Sequence, residues 1–246
     1  MRVLLLGGTS EARELATLLV EGGVDVVSSL AGRVERPRLP AGPVRIGGFG
    51  GVDGLSEWLV SHRIEAVVDA THPFAEGMSA NALSACSALG VPLLRLERAG
   101  WAGAPGADGW HWVDDHAAAA TTAASLGQRP FLTVGRQPLE HFVGPLAGVR
   151  AVVRVVDPPE IDLPEPWQVY LDRGPYDLAG ELELIAEHGI DVLVTKDSGS
   201  RYTWPKMAAA DQLGVPVVVV RRGSATDGVE TVPDAAAAVE WLRRRG

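Results

Sequence analysis

A glycine-containing turn near the amino terminus has the composition of a phosphate-binding loop. The apolar run at 3–6 leads directly into Gly7-Gly8-Thr9-Ser10-Glu11-Ala12, and a helical pattern follows. Glycine lets the backbone approach a phosphate closely, and the first turn of a helix offers unpaired N–H groups. Dinucleotide-binding folds place the pyrophosphate at such a turn. Thr9 and Ala12 replace the later glycines of the usual G-x-G-x-x-G pattern, so a tight turn without a ligand is the alternative.

The end of the second apolar run has side chains that suit a phosphorylated nucleotide. Ser28 and Ser29 are followed closely by Arg33, and no carboxylate stands at this point. An acid there would bind the ribose 2′-hydroxyl of NAD, whereas hydroxyls and an arginine suit the 2′-phosphate of NADP. We therefore predict NADPH as the cofactor, with Arg33 and one of the two serines at the 2′-phosphate. In the alternative, Arg33 is a solvated loop residue.

A second glycine-rich turn, at 47–51, follows the third short apolar run. A doubly wound fold passes close to the adenosine half of its cofactor at this place. We expect Gly48 to allow close backbone approach and Phe49 to contact the adenine. A mobile turn without a ligand explains the same residues.

The segment 69–75, Asp-Ala-Thr-His-Pro-Phe-Ala, closes the fourth predicted strand. Ligands of open α/β sheets lie beyond the carboxyl ends of the strands. We therefore expect Thr71, His72 and Pro73 to face the cofactor. Ser79 and Asn81, at the start of the next helix, are candidates for contact with a substrate. The alternative for His72 is a histidine that caps a loop.

Cationic and hydroxyl side chains follow the strands of the second half. Segment 133–136 ends one predicted strand, and segment 195–199 ends another. Ammonium, guanidinium and amide donors offset the charge of carboxylates, so these loops suit a ligand rich in carboxylate groups. The predicted contacts are Arg136, Arg173, Lys196, Ser198, Gly199 and Lys206.

Short β-branched runs alternate with Ala- and Leu-rich segments, a pattern that predicts βαβ units around buried parallel sheets. Strands are predicted near 2–6, 24–29, 43–46, 66–70, 92–96, 130–134, 150–156, 167–171, 191–195 and 216–220. Helices are predicted near 10–21, 53–62, 77–89, 115–126, 178–188 and 205–213. The expected fold class is α/β, with two Rossmann-like doubly wound lobes, mainly parallel sheets and a cleft between the lobes.

The Gly-, Pro- and Trp-rich passage 100–112 is the predicted hinge between two domains. We expect an NADPH-binding domain over 1–112 and a second α/β domain, contributing to the substrate cleft, over 113–246. The sequences near 64–95 and 190–219 also echo each other, each with a Gly-Val-Pro before its second strand. Shared ancestry of the halves and a common helix-to-strand connector both explain this echo.

Composition narrows the possible partners. The chain has 246 residues, is 46% hydrophobic and carries a formal net charge of −9, which argues against nucleic acid as a partner. Cys86 is the only cysteine, so an intramolecular disulfide and a cysteine-cluster metal site are excluded, and we expect no metal. No apolar run reaches about 18 residues, so we expect no membrane span and a cytoplasmic location. The oligomeric state stays open.

The motifs together resemble those of the precorrin-6A reductase family. They are Gly-Gly-Thr-Ser-Glu-Ala-Arg at 7–13, Ala-Gly-Arg at 31–33, segment 69–75, Thr-Val-Gly-Arg at 133–136, and Thr-Lys-Asp-Ser-Gly at 195–199 with Lys206. The matches are in order and span nearly the whole chain, although segment 197–205 is less glycine-rich than the family's loop. The resemblance implies that NADPH transfers a hydride to precorrin-6A, a tetrapyrrole with many carboxylate arms, to give precorrin-6B in cobalamin (vitamin B12) biosynthesis.

The reaction that the resemblance implies also needs a proton. His72 is the candidate donor, because its unperturbed pKa near 6.5 allows proton delivery at neutral pH. Water is the alternative donor. Two competing functions are a short-chain dehydrogenase or epimerase, in which Tyr202 and Lys206 would form a Tyr-x-x-x-Lys pair, and a non-enzymatic NADP(H)-sensing module. Pro205 disfavours a continuous helix through that pair.

Overall fold

The strands of the chain form two parallel sheets. A computed structural model describes residues 1–32, 35–223 and 228–245. The chain up to Leu96 contains β1 (Arg2–Leu6), α1 (Ser10–Glu21), β2 (Asp25–Leu30), β3 (Val44–Ile46), α2 (Gly51–Ser61), β4 (Ala66–Asp69), α3 (Glu76–Leu89) and β5 (Leu93–Leu96). The chain from His111 to Val220 contains β6 (His111–Val113), α4 (His116–Leu126), β7 (Pro130–Leu132), α5 (Glu140–Val143), β8 (Val152–Val155), β9 (Gln168–Leu171), α6 (Leu178–His188), β10 (Val192–Lys196), α7 (Pro205–Gln212) and β11 (Val217–Val220). The chain ends with β12 (Thr231–Val232) and α8 (Ala235–Arg243).

The first sheet has the strand order β12-β5-β4-β1-β2-β3, and its pairings are parallel. The order reverses between β1 and β4, which is the switch point where doubly wound folds bind ligands. In register, Leu6 lies opposite both Ser29 of β2 and Asp69 of β4. The loops that follow these three strands therefore begin side by side at the carboxyl edge of the sheet.

The second sheet repeats this topology with the order β6-β11-β10-β7-β8-β9. Its switch point lies between β7 and β10, where Leu132 is opposite Val194. The echoing sequence segments correspond to equivalent elements, β4-α3-β5 in the first sheet and β10-α7-β11 in the second. The prediction of two doubly wound α/β units with parallel sheets is confirmed.

The domain boundary predicted at 112/113 differs from the division that the structure shows. One unit comprises Met1–Ala99 with Gly223–Gly246, and the other comprises Gly100–Arg222. The reason is an exchange of edge strands: β6 joins the second sheet beside β11, and β12 returns to the first sheet beside β5. Each edge strand leads into an Ala-rich helix with an aspartate N-cap, Asp115 in α4 and Asp234 in α8.

Strand periodicity places apolar side chains on both faces of the first sheet. Val3 and Leu5 pack in the cluster that contains α1 and α8 residues, whereas Leu4 and Leu6 pack in the cluster that contains α2 and α3 residues. Cys86 belongs to the second cluster, and burial raises the pKa of its thiol to about 12. Cys86 is therefore a buried residue of this apolar cluster. In the parts of the chain that the structure describes, no helix is long and apolar enough to cross a bilayer.

Candidate active site

The loop after β1 is tied to the loop after β4 by one threonine. Thr9 is the N-cap of α1: its hydroxyl accepts a hydrogen bond from the amide of Ala12 (3.1 Å) and donates one to the carbonyl of Ala70 (2.8 Å). Gly8 has φ = 120°, a conformation that glycine adopts easily, and the amide of Gly7 bonds the carbonyl of Ser29 (2.9 Å). The amino end of α1 is therefore fixed at the switch point of the first sheet.

The acidic residue of this loop is neutralised within the protein. Glu11 accepts hydrogen bonds from Ser10 Oγ (3.0 Å) and from Arg98 Nη1 (2.7 Å). A carboxylate beside a phosphate site would repel the ligand, so the ion pair with Arg98 keeps the helix terminus favourable to an anion. Arg98 follows β5, and sequence reasoning did not identify it.

Asp69 is the centre of a buried polar network at the end of β4. Its Oδ1 accepts from the amide and hydroxyl of Thr71 (3.0 and 2.7 Å) and lies 2.9 Å from Arg95 Nη1, while Oδ2 accepts from Ser79 Oγ (2.6 Å). Arg95 and Asp69 are 2% and 1% exposed, and Arg95 also pairs with Glu97 (2.8 Å). The register places Arg95 directly opposite Asp69 in the neighbouring strand. These contacts fix the start of the loop 70–75.

This network gives Ser79 an internal partner. Its hydroxyl is bonded to Asp69 and the residue is buried, so the structure adds a positioning role to the predicted substrate contact. Asn81, two residues further along α3, is partly exposed. Contact of either residue with substrate stays a prediction.

His72 lies in a turn that follows the Asp69 network. The amide of Phe74 donates to His72 Nδ1 (3.2 Å), and the amide of Ala75 donates to the carbonyl of His72 (2.7 Å). A backbone amide can only donate, so Nδ1 carries its lone pair in this arrangement. To act as the proton donor, the ring must be doubly protonated, and that form loses the contact with Phe74. Pro73 is buried beside it.

The predicted adenosine end contains a cation that sequence reasoning missed. Arg45 of β3 donates to Ser29 Oγ (2.8 Å) and lies over the ring of Phe49 at 3.8 Å. Ser28 is buried with its hydroxyl on the other face of β2. Arg33, the predicted ligand of the 2′-phosphate, lies outside the described residues.

In the second unit, Lys196 is the last residue of β10, and two histidines lie in neighbouring helices, His116 in α4 and His141 in α5. Burial lowers the pKa of Lys196 to about 8. Its Nζ lies close to Gly135, because a Cβ atom added at this glycine would be only 3.7 Å from Nζ. His116 stacks on His141 with 6.0 Å between ring centroids. Burial, followed by the charges of Lys196 and His141, lowers the pKa of His116 to about 4, so its ring is neutral at pH 7. Lys196, at the end of β10, therefore lies close to the loop that follows β7.

Lys206 is a component of the protein interior, being only 3% exposed. Its Nζ donates to the carbonyl of Thr203 (3.0 Å) and lies 5.1 Å from the centroid of the Trp101 ring. Burial and then the nearby Arg154 lower its pKa to about 7, while Glu181, which pairs with Arg154 at 2.8 Å, acts in the opposite direction. In this structure Lys206 supports the loop 197–204 from inside, and a direct substrate contact stays a prediction.

The remaining predicted substrate residues lie on partly exposed loops. Arg136 pairs with Glu160 (3.1 Å). Ser198 Oγ is 3.1 Å from Thr203 Oγ1, and Gly199 has φ = 64°. Arg173 follows β9. The structure therefore brings Ser198 and Lys206 to one loop through Thr203, while Arg136 and Arg173 follow β7 and β9.

Asp197 links the loop 197–204 to the beginning and the end of the chain segment that forms the second unit. Its carboxylate accepts from the amide of Trp101 (2.7 Å) and lies 3.4 Å from Arg222 Nε. The side chain of Asp197 is therefore used for internal bonds. Lys206 is in the first turn of α7, whereas Tyr202 precedes that helix. The expectation that Pro205 prevents one helix from carrying both residues is confirmed.

Comparison with known proteins assigns this architecture to a family. The model of the precorrin-6x reductase CbiJ/CobK family matches residues 2–243. This chain belongs to the precorrin-6x reductase family. A relative from Rhodococcus erythropolis, named precorrin-6A reductase, is 48% identical over 242 residues, which cover 98% of this chain and 97% of the relative. A Priestia megaterium member named cobalt-precorrin-6A reductase is 32% identical, with 89% and 90% covered.

A solved structure supports the same family membership. The chain superposes on the structure described as CobK precorrin-6A reductase with a TM-score of 0.90 and 39% identity, covering all of this chain and 97% of that one. The family's two-unit fold is therefore present over the whole of this chain.

Within the residues described here, no group of three or more His, Cys, Asp or Glu side chains is placed to hold a metal ion.

Proposed function

We propose that this protein transfers a hydride from NADPH to precorrin-6A, giving precorrin-6B in cobalamin biosynthesis. The observation that carries the proposal is the full-length similarity to proteins named precorrin-6A reductase, together with a matching structure. It is an oxidoreductase by this membership, and its cofactor is a reduced nicotinamide nucleotide. NADPH as the particular nucleotide, the site residues and the proton donor belong to the proposal.

The first unit is the proposed NADPH site. The pyrophosphate would lie on the loop 7–12, because Gly7 and Gly8 leave room for it and the amino end of α1 supplies N–H donors. Thr9 already bonds Ala70, so its proposed role is to fix the distance between this loop and Thr71, His72 and Pro73. Those residues would face the nicotinamide side. Gly48 and Phe49 would contact the adenosine side, with Ser28, Ser29 and Arg33 near the 2′-phosphate.

The second unit is the proposed site for the carboxylate arms of the tetrapyrrole. Lys196 is the leading contact, because burial at a switch point lowers the pKa of its ammonium group to about 8 and a carboxylate arm would stabilise the charged form there. Arg136 and Arg173 would bind arms at the more exposed margin. Ser198 and Gly199 would supply hydroxyl and amide donors.

The chemistry requires hydride and proton delivery to neighbouring ring carbons. The bound nicotinamide would supply the hydride. The protein's own task is to hold the nicotinamide and the macrocycle close together in the correct orientation and to exclude water from the reacting face. Such orientation lowers the activation free energy by about 7–11 kcal/mol in favourable cases. His72 or water would supply the proton. His72 must give up its contact with Phe74 to do so, whereas water needs only access.

We further propose the metal-free macrocycle as the substrate. Sequence identity is 48% to the relative named precorrin-6A reductase and 32% to the relative named cobalt-precorrin-6A reductase.

We also propose a cytoplasmic location, because the free, buried thiol of Cys86 is compatible with a reducing compartment.

Turnover of precorrin-6A tests the proposal. Purified protein is mixed with NADPH and metal-free precorrin-6A, and loss of reduced nicotinamide absorbance is followed together with the mass of the macrocycle. We expect one NADPH consumed for each macrocycle that gains two hydrogens. Cobalt-precorrin-6A and NADH are the comparison substrates. Folded protein that leaves precorrin-6A unchanged at saturating NADPH would contradict the proposal.

A further inference from the structure

The guanidinium group of Arg45 is held in one position by neutral groups. Nη1 donates to Ser29 Oγ (2.8 Å) and to the carbonyl of Gly47 (2.9 Å), and Nη2 donates to the carbonyl of Gly48 (3.0 Å). The ring of Phe49 packs against its face at 3.8 Å. These contacts use three of the five N–H groups of an arginine. Donors are left over on a side chain that is already ordered.

The charge of Arg45 is not neutralised within the described part of the chain, where no carboxylate oxygen lies within 4.0 Å of it. Two other arginines of the same unit differ, because Arg95 pairs with Asp69 and Glu97, and Arg98 pairs with Glu11. Burial alone lowers the pKa of Arg45, with no contribution from an acidic neighbour. Since an arginine stays protonated in proteins, the site carries a fixed positive charge.

The position of this charge matches one end of a dinucleotide. Arg45 lies opposite Ser29 in the parallel pair β2–β3, and the carbonyl of Ser29 bonds the amide of Gly7 in the phosphate loop. In a doubly wound fold, the adenosine ribose lies beyond the carboxyl end of β2. The 11-residue helix α2 also begins just beyond Phe49, and its N-cap Gly50 makes no side-chain cap. Both features favour an anion at the same edge.

We infer that Arg45 determines the preference for the phosphorylated nucleotide by binding the 2′-phosphate of NADPH, with Phe49 and Ser29 holding the guanidinium in place. The inference rests on the proposed function, because it assumes that the nucleotide lies on the first unit. It adds a residue to the site, since Arg45 comes from β3 and not from the loop that contains Arg33. A purely structural tie between β2 and the turn 47–49 is the competing role.

Nucleotide titrations with matched variants separate these roles. The dissociation constants of NADPH and NADH are measured for the wild type, Arg45→Met and Arg45→Lys, with 2′,5′-ADP and 5′-AMP as competing ligands. Arg63→Met, in the loop before β4 at the opposite edge of the sheet, removes the same charge and serves as the control. We expect Arg45→Met to weaken NADPH and 2′,5′-ADP by about 10- to 100-fold, and NADH and 5′-AMP by less than about twofold.

Arg45→Lys is expected to keep part of the preference, because an ammonium retains the charge but not the forked geometry. Equal weakening of NADPH and NADH by Arg45→Met would overturn the inference in favour of the structural tie, and so would unchanged affinity for both. If Arg45→Met does not fold by circular dichroism, Arg45→Lys decides: a full loss of affinity for both nucleotides overturns the inference. Wild-type protein that binds neither nucleotide would overturn the proposed function as well, whereas the variant results concern Arg45 alone.

Discussion

Replacing Asp69 by asparagine tests the buried network that fixes the loop after β4. Asparagine has nearly the shape of aspartate, and its carbonyl oxygen can still accept from Thr71. The change removes the negative charge that lies 2.9 Å from Arg95, at a place where both side chains are almost fully buried. The perturbation therefore leaves a buried guanidinium with one acidic partner in place of two.

The expected cost follows from the partners that Arg95 keeps. Breaking a buried ion pair by removing one member typically costs about 3–5 kcal/mol. Glu97 stays 2.8 Å from Arg95 Nε and is itself partly solvated, so we expect a cost at the lower end of this range. We expect Asp69→Asn to reduce the free energy of unfolding by about 3 kcal/mol.

Urea unfolding of the variants is the assay, with Arg95→Met as the second member of a double-mutant cycle. Asp69→Asn removes one of the two acidic partners of Arg95, and Arg95→Met removes the cation beside Asp69, whereas the double variant removes both charges of this pair. The double variant should therefore lose at least about 2 kcal/mol less than the sum of the two single losses. A cost below about 1 kcal/mol for Asp69→Asn, or strict additivity in the cycle, would refute this reasoning.

Three further predictions concern the second unit and the proton. The pKa of Lys206 falls from 10.5 in the unfolded chain to about 7 in the folded protein, so between these values the unfolded chain binds more protons and stability rises with pH. The slope is about 1.4 kcal/mol per pH unit, and Lys206→Met should lose it, as urea unfolding at two pH values in this window would measure. If Lys206→Met had the same slope as the wild type, the pKa of Lys206 would not be lowered on folding and the reasoning would be wrong. If His72 donates the proton, His72→Ala should lower kcat about 100-fold at saturating substrate; near wild-type turnover would remove that role. Tyr202→Phe should leave kcat within about twofold, since Tyr202 lies outside α7; abolished turnover would favour the dehydrogenase mechanism.

Features that are continuous in sequence could be predicted well. The turn at 7–12, which was predicted to bind phosphate, comprises adjacent residues between a strand and a helix, and the structure places this turn at the switch point of the first sheet. The alternation of apolar runs and helices likewise predicts both doubly wound units. In these cases the chemical signal and the structural signal lie within one short window.

Features that depend on strand register were missed. Arg45 and Ser29 are 16 residues apart and meet because β2 and β3 pair in parallel. Asp69 and Arg95 meet through the β4–β5 register in the same way. The sequence around each of these arginines has no local mark of a site. A scan for charged residues at the ends of predicted neighbouring strands is the signal that would have found them.

The exchange of edge strands could not be predicted from pattern. β12 has two residues and β6 has three, which is too short for a period to be visible. The boundary predicted at 112/113 therefore cuts through β6, and division of the chain in sequence order assigns β12 to the second domain, whereas the structure pairs it with β5 of the first sheet. The Ala-rich helices with aspartate N-caps that follow, beginning after Asp115 and Asp234, were the available hint of equivalent elements.

Deuterium transfer from the nicotinamide to the macrocycle is the direct test of hydride transfer by this protein. The protein is incubated with precorrin-6A and NADPH that carries deuterium at the reactive C4 position of the nicotinamide, and the product is analysed by mass spectrometry and NMR. We expect one deuterium bound to a single carbon of the reduced macrocycle, with the second hydrogen coming from solvent. A reduced macrocycle without deuterium, from reactions with either C4 epimer of the label, would contradict this expectation.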